Sequence, residues 1–235
     1  MTEKTKPDQQ KTGKAKKSGI NHSKQVEKQV VALCKKLDPD PAHAFHVTEL
    51  GLKLFDELQT LGLHQLDGQC RLLLKYGCLL HDIGWSEGQE KHHKRAFALI
   101  TKTDLPLSKE HKLMVALIAR FHRKAEPAGQ TEFMKLRPPE RESVAKLAAI
   151  IRAVDVLDRF HDQKVKIKSV SLSPSGLHIV ISSDFLSIIP QRTLARKVAF
   201  FNKAFGIPAL IVDKPAPADT DKTSTKPKPT TDSPQ

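Results

Sequence analysis

Large aromatic side chains are scarce: Phe, Trp and Tyr make up 5% of the 235 residues, with a single Trp and a single Tyr. A core must therefore be built on Leu, Ile, Val and Ala, for which a hydrophobic content of 39% is sufficient. Cys34, Cys70 and Cys78 show no CxxC spacing and sit inside apolar helical patterns. That excludes a disulfide framework and fits reduced, buried thiols in a cytoplasmic protein. No apolar run approaches the roughly 18 residues of a membrane span, and the Lys-rich N-terminus has no apolar stretch of the secretory type. A Gly-rich phosphate loop and an internal repeat are also missing.

Acidic charge is in deficit. The formal net charge is +13, and its distribution matters more than its size. Seven Lys against Glu3 and Asp8 leave residues 1–24 at +5, and residues 213–235 are balanced, so +8 resides in the body of the chain. A basic body favours anionic partners such as polyphosphate, nucleotide or nucleic acid, or it serves solubility alone. Both ends are too poor in large apolar groups to offset the entropy of ordering, so residues 1–24 read as a disordered basic tail and 213–235 as a disordered Pro/Lys/Thr tail.

Between the tails the period is helical. Lys24–Leu37 places Val26, Val30, Val31, Cys34 and Leu37 on one stripe, broken by Asp38-Pro39-Asp40-Pro41. Helices are predicted over 42–60, with His46 beside an inner stripe of Phe45, Leu50, Leu54 and Leu58, and over 68–82, stopped by Gly84. Others are predicted over 92–101, from an N-cap at Ser108 to about Lys124, and from Pro138-Pro139 onward with Val144, Leu147, Ile151, Val154, Asp155 and Asp158 on a broad face. After Asp162 the pattern alternates with period two across 165–170 and 177–181, around the turn Ser173-Pro174-Ser175-Gly176. A helix over 192–205 ends at Gly206, and a third strand is possible at 209–212. The expected fold is mainly α: a helical bundle over 25–162 carrying a small C-terminal α+β appendage, a β-hairpin plus helix, over 163–212.

The chemistry gathers at His81-Asp82-Ile83-Gly84, which closes the apolar run of a buried helix. A carboxylate there is strongly unfavourable unless a charge faces it, and a metal ion is one remedy. His46, His81, Asp82 and Asp155 bring three helices to one ion. Asp82 has two oxygens and can bridge to a second ion held by His92 or His93 and His122. Imidazole with carboxylate suits Mn, Fe, Zn, Ni or Mg, and two such ions share the work of phosphoryl hydrolysis. Lys94, Arg95, Arg123, Lys124 and Arg159 are placed to neutralise phosphate oxygens. Taken singly, His46 and His122 read more readily as hydrogen-bonded core histidines than as ligands, His92 and His93 as exposed neighbours of Lys91 and Lys94, and Asp155 as a partner of Arg152 or Arg159; the order His, His-Asp, His, His, Asp on successive helices favours the ligand reading for the set. His43, His64, His111, His161 and His178 read as surface or structural residues.

Four stretches carry a family resemblance: Leu79-Leu80-His81-Asp82-Ile83-Gly84, Lys91-His92-His93-Lys94, Ile118-Ala119-Arg120-Phe121-His122-Arg123-Lys124 and Arg152-Ala153-Val154-Asp155-Val156-Leu157-Asp158-Arg159. Over about residues 25–212 the chain resembles the HD-domain metal-dependent phosphohydrolases. It is most similar to the C-terminal HD-type helical domain of the exopolyphosphatase/guanosine-pentaphosphatase (Ppx/GppA) family. The resemblance implies an HD helical bundle with His46, His81, Asp82 and Asp155 as primary ligands of a divalent metal (Mn, Mg, Fe, Ni or Zn). It assigns His92 or His93 and His122 to a second metal or the phosphate. In that family an actin-like pair of domains holds the phosphatase site, and these 235 residues contain no counterpart. Activity is therefore expected only from the HD site, with His81 and Asp82 at its centre.

Two functions follow as expectations. One is a metal-dependent phosphohydrolase acting on a nucleotide, a guanosine polyphosphate or polyphosphate. The other is a non-catalytic polyphosphate- or nucleotide-binding module. A membrane partner is not expected, nucleic acid is an option through the basic tail, and a homodimer is open.

Overall fold

A computed structural model describes residues 10–123, 129–182 and 185–213, with the main chain alone for 10–23 and 185. Of the predicted tails 1–24 and 213–235, residues 1–9 and 214–235 lie outside these residues, as does Lys124, whereas 10–24 belong to the first helix. The order is α1 (Gln10–Leu37), α2 (Pro41–Thr60), α3 (Gly68–Leu80), α4 (His92–Lys102), α5 (Lys109–Phe121), α6 (Thr131–Met134), α7 (Pro138–Asp155), β1 (Ile167–Ser173), β2 (Gly176–Ile181), α8 (Phe185–Ile188), α9 (Gln191–Phe205) and β3 (Ala209–Val212). The architecture is mainly helical, with a small three-stranded sheet and a helix near the C-terminus. No described helix is long and apolar enough to cross a membrane.

Local chemistry sets the boundaries. Asp40 caps α2 by accepting from the His43 N–H, and Pro41 occupies the first turn, where its missing N–H costs nothing. Asp67 caps α3 through the Cys70 N–H at 2.9 Å, and Ser108 caps α5 through the His111 N–H at 3.1 Å. Gly206, with φ +68°, ends α9 in the left-handed conformation. Several boundaries differ from the pattern reading: α3 stops at Leu80 with His81 as its C-cap, and β1 covers Ile167–Ser173 where the pattern predicts 165–170. α1 starts at Gln10, well before the apolar stripe that begins at Val26. α5 stops at Phe121, with His122 as its C-cap.

α3 is the central helix, packed by α1, α2, α5 and α7. One aliphatic core runs from Val26 to Ile211, with Leu54, Leu74, Leu80, Ile118 and Ile151 fully buried. Two glycines permit the close approaches that matter for the site. A Cβ at Gly77 would lie 2.4 Å from Ile118 Cγ2, so α3 and α5 nearly touch. A Cβ at Gly84 would meet the His92 carbonyl at 2.2 Å and the Ala96 N at 2.7 Å, so only glycine lets the start of α4 rest against the turn that follows Asp82. Gly84→Ala should cost about 1–3 kcal/mol by overpacking against main chain that cannot step aside. It should also push His92 away from Asp82. Urea unfolding checks the first effect, and an unchanged midpoint would show that α4 shifts freely.

The sheet order is β1-β2-β3, with β1–β2 antiparallel and β2–β3 parallel. β2 is buried along its whole length, β1 contacts α2, and α9 lies along α7. α9 turns Leu194, Val198 and Phe201 into the core and leaves the flank bearing Thr193, Arg196, Lys197, Phe200 and Lys203 facing a cleft.

Candidate metal centre

The ends of five helices meet at one point. His81 is the C-cap of α3 and Asp82 follows it; His92 opens α4, His122 caps the end of α5, Asp155 closes α7, and His43 lies in the first turn of α2. Three of the histidines use one local device. His81 Nδ1 is 2.7 Å from the Cys78 carbonyl, His92 Nδ1 is 2.8 Å from the Gln89 carbonyl, and His122 Nδ1 is 2.6 Å from the Ala119 carbonyl, each three residues back. Carbonyls in the last turns of α3 and α5 lack helical partners and accept such bonds readily. His43 Nδ1 instead meets Asp158 Oδ2 at 2.8 Å.

Each of these acceptors can only accept, so each Nδ1 carries the hydrogen and donates it. The Arg123 guanidinium, 3.4 Å from His92 Nδ1, is then a neighbour and not a donor to it. In the neutral rings every Nε2 lone pair consequently faces inward. His43 and His81 Nε2 stand 3.9 and 3.5 Å from Asp82 Oδ2, and 3.6 and 3.7 Å from Asp155 Oδ1. His92 and His122 Nε2 stand 3.2 and 3.5 Å from Asp82 Oδ1 and 3.1 Å from each other. Lone pairs aimed at lone pairs repel unless something positive, a proton or a metal ion, lies between them.

That something is chemically constrained. Most separations exceed a hydrogen bond and match the spacing of two ligands that are each about 2.0–2.2 Å from one ion. His81 Nε2 and Asp82 Oδ1 are buried without any hydrogen-bond partner among the described residues. Two groups of potential ligands result: His43, His81 and Asp82, joined by Asp155 Oδ1, and Asp82, His92 and His122. Asp82 belongs to both through different oxygens. An imidazole and carboxylate set of this kind fits a borderline or hard divalent metal, and the outward Nδ1 bonds are the second layer that holds such ligands in place.

The charges of the groups are strongly coupled. Burial alone would push His43 down, but Asp155 and Asp158 outweigh it and raise its pKa to about 10. Burial also opposes ionisation of Asp82, yet His81, with His92 and His122, holds this carboxyl below its usual range. Asp155 is likewise held well below the carboxylate range against the effect of burial, chiefly by Lys197. For His122, burial and the His81 charge win and the ring stays neutral, as a ligand must be.

The centre forms the floor of a cleft of about 760 Å³. Its wall carries Arg123, Arg152, Arg159, Arg196, Lys197 and Lys203, with Trp85, Phe160 and Phe200 between them. Arg152 stacks 4.6 Å above the Phe200 ring. His161 stacks on His43 at 4.0 Å and is tied by Nδ1 to Asp40 Oδ2.

Of the residues singled out from sequence, the structure brings together His81, Asp82, Asp155, His92 and His122, and it lines the cleft with Arg123 and Arg159. His46 is not in either ligand group: it is buried on the flank of α2 with Nε2 unpartnered, and His43 stands in its expected place. The reason is helical phase. His43, Val47, Leu50, Leu54 and Leu58 form the inward stripe, and His46 falls about 60° to one side at 100° per residue. His93 is buried beside His92 and His122 without entering either group, and its pKa is pushed down to about 4 by burial and by the neighbouring His92, Arg120, Arg123 and Lys94. Arg95 braces the turn by donating to the carbonyls of Gly84 and Gly88, and Lys94 points to solvent; neither lines the cleft. Sequence reasoning missed His43, Asp158 as its anchor, and the basic flank of α9. The signals were present in the His43 stripe and in the spacing of Thr193, Arg196, Lys197, Phe200 and Lys203.

Residues 26–188 match the model for Ppx/GppA phosphatase, domain III, which spans well over half of the chain, and the protein belongs to that family.

Proposed function

We propose that the protein is a metal-dependent phosphohydrolase of HD type, acting at this centre on a nucleotide, a guanosine polyphosphate or a polyphosphate. The observation that carries the reading is the inward convergence of four imidazole Nε2 atoms on the carboxylates of Asp82 and Asp155. Divalent ions bound there supply Lewis acidity to a phosphoryl group and acidify a water. His43, His81, Asp82 and Asp155 would hold one ion, and Asp82, His92 and His122 would hold a second. Arg123, Arg152, Arg159, Arg196 and Lys203 bind and orient the anion, since guanidinium groups meet phosphate oxygens with paired N–H donors. Trp85, Phe160 and Phe200 narrow the cleft and exclude water from the bound anion.

A non-catalytic anion-binding module would use the same cationic wall without the ions. Elemental analysis of the purified protein, followed by a screen of phosphate esters and anhydrides with Mn, Mg, Ni and Co, separates the two. The expected result is at least one divalent ion per chain and metal-dependent hydrolysis of one substrate class. Undiminished binding of polyphosphate or nucleotide in chelator, with no hydrolysis in any metal, establishes the binding module instead.

A further inference from the structure

α9 begins at Gln191, beyond residue 188 where the family match ends, yet it delivers a charge directly to the centre. Lys197 Nζ lies 2.5 Å from Asp155 Oδ2 and 3.3 Å from the main-chain carbonyl of His122, the C-cap of α5. Its side chain is only 15% exposed and Asp155's only 17%. The Nζ therefore joins one member of each ligand group, Asp155 beside His43 and His81, and His122 beside Asp82 and His92. Because Lys197 occupies Oδ2, Asp155 presents only Oδ1 to the two imidazoles. An ammonium has three N–H donors, and with two engaged among the described residues the third can face the cleft that Lys197 lines.

We propose that Lys197 is a positioning residue that holds Asp155 to one-oxygen ligation and sets the charge of the centre, loosening its grip on the cation while strengthening its grip on an anion. The inference rests on the metal-centre reading given above. Two carboxylates, Asp82 and Asp155, face the Nε2 atoms of the ligand imidazoles. Lys197 cancels one of them, so the protein contributes one net negative charge where it would otherwise contribute two. Ligand charge count is a main determinant of how tightly a hard cation is held. The metal-free protein is stabilised by the same contact, because Asp155 would otherwise lie in the cleft floor with a weaker counter-charge.

The signature is a pair of changes of opposite sign. In the full chain, Lys197→Met should bind Mn²⁺ about tenfold more tightly by calorimetric titration, since a unit positive charge near the ion has gone. The metal-free melting temperature should fall, and the rise on adding Mn²⁺ should be larger than in the wild type. Inorganic phosphate should bind the Mn²⁺-loaded variant about tenfold more weakly. Lys197→Arg should return both affinities towards wild type. Should Lys197→Met fail to fold, Lys197→Gln keeps a donor for Asp155 without the charge and carries the same two expectations. A merely structural lysine would instead weaken cation and anion together, and that result, or no change in either, overturns the inference while leaving the metal centre standing. Absence of Mn²⁺ binding by the wild type overturns both.

Discussion

Replacing Asp82 with Asn is expected to strip the centre of divalent metal and to lower any phosphohydrolase rate by on the order of 10³-fold, the loss of several kcal/mol of transition-state stabilisation. No other single substitution should do as much. Among the described residues, Asp82 is the one carboxylate whose two oxygens face two different ligand groups, Oδ2 towards His43 and His81 and Oδ1 towards His92 and His122. The amide keeps the side chain's volume and removes its charge, so packing around Ile83 and Gly84 is left intact. Metal content by elemental analysis, the rate with the best metal, and the circular dichroism spectrum should be read together. A variant that is folded and metal-free but retains wild-type turnover would show that the chemistry lies elsewhere. A folded variant that still holds two ions per chain would show that Asp82 does not bridge.

The fold was largely legible because its elements are long, periodic and sharply punctuated. Asp40-Pro41, Asp67, Ser108 and Pro138-Pro139 mark helix starts, and Gly206 marks an end. The hairpin was legible for the same reason, with its turn at Pro174-Ser175 where Ser, Pro and Gly cluster. The site was legible where residue type and burial conflict. An imidazole and a carboxylate at the end of Leu79-Leu80 need an explanation that a surface pair does not, and His81 and Asp82 are indeed buried. Where no such conflict is written into the chain, the reading failed. Lys197 sits among the exposed-looking cations of an amphipathic helix, and nothing local states that α9 folds back along α7 to meet Asp155. Arg95, which follows two histidines, looks like a phosphate ligand, but the carbonyls of Gly84 and Gly88 claim its guanidinium first. Such assignments are made by tertiary packing, which periodicity does not encode.

The choice between His43 and His46 provides the other large effect. Both are buried on α2, three residues apart, and the chain's periodicity alone allowed the later one to be favoured. In the fold the Nε2 of His43 lies within 3.9 Å of Asp82 and 3.6 Å of Asp155, whereas that of His46 meets no partner among the described residues. His43 is also the better prepared ligand. Its Nδ1 is anchored by Asp158, which in turn accepts from the Gln163 N–H at 2.8 Å, and His161 stacks on its face. His43→Ala should therefore weaken metal binding by more than the roughly 10–100-fold typical of losing an outer-shell partner, and the rate should fall with metal occupancy. His46→Ala removes a buried ring that ligates nothing, so it should cost about 1–3 kcal/mol of stability and leave metal affinity and turnover unchanged. Parallel Mn²⁺ titrations and urea unfolding of the two variants decide the matter, because each variant should move one measurement far more than the other. Loss of metal from His46→Ala with retention in His43→Ala would reverse the assignment and place the first turn of α2 outside the centre.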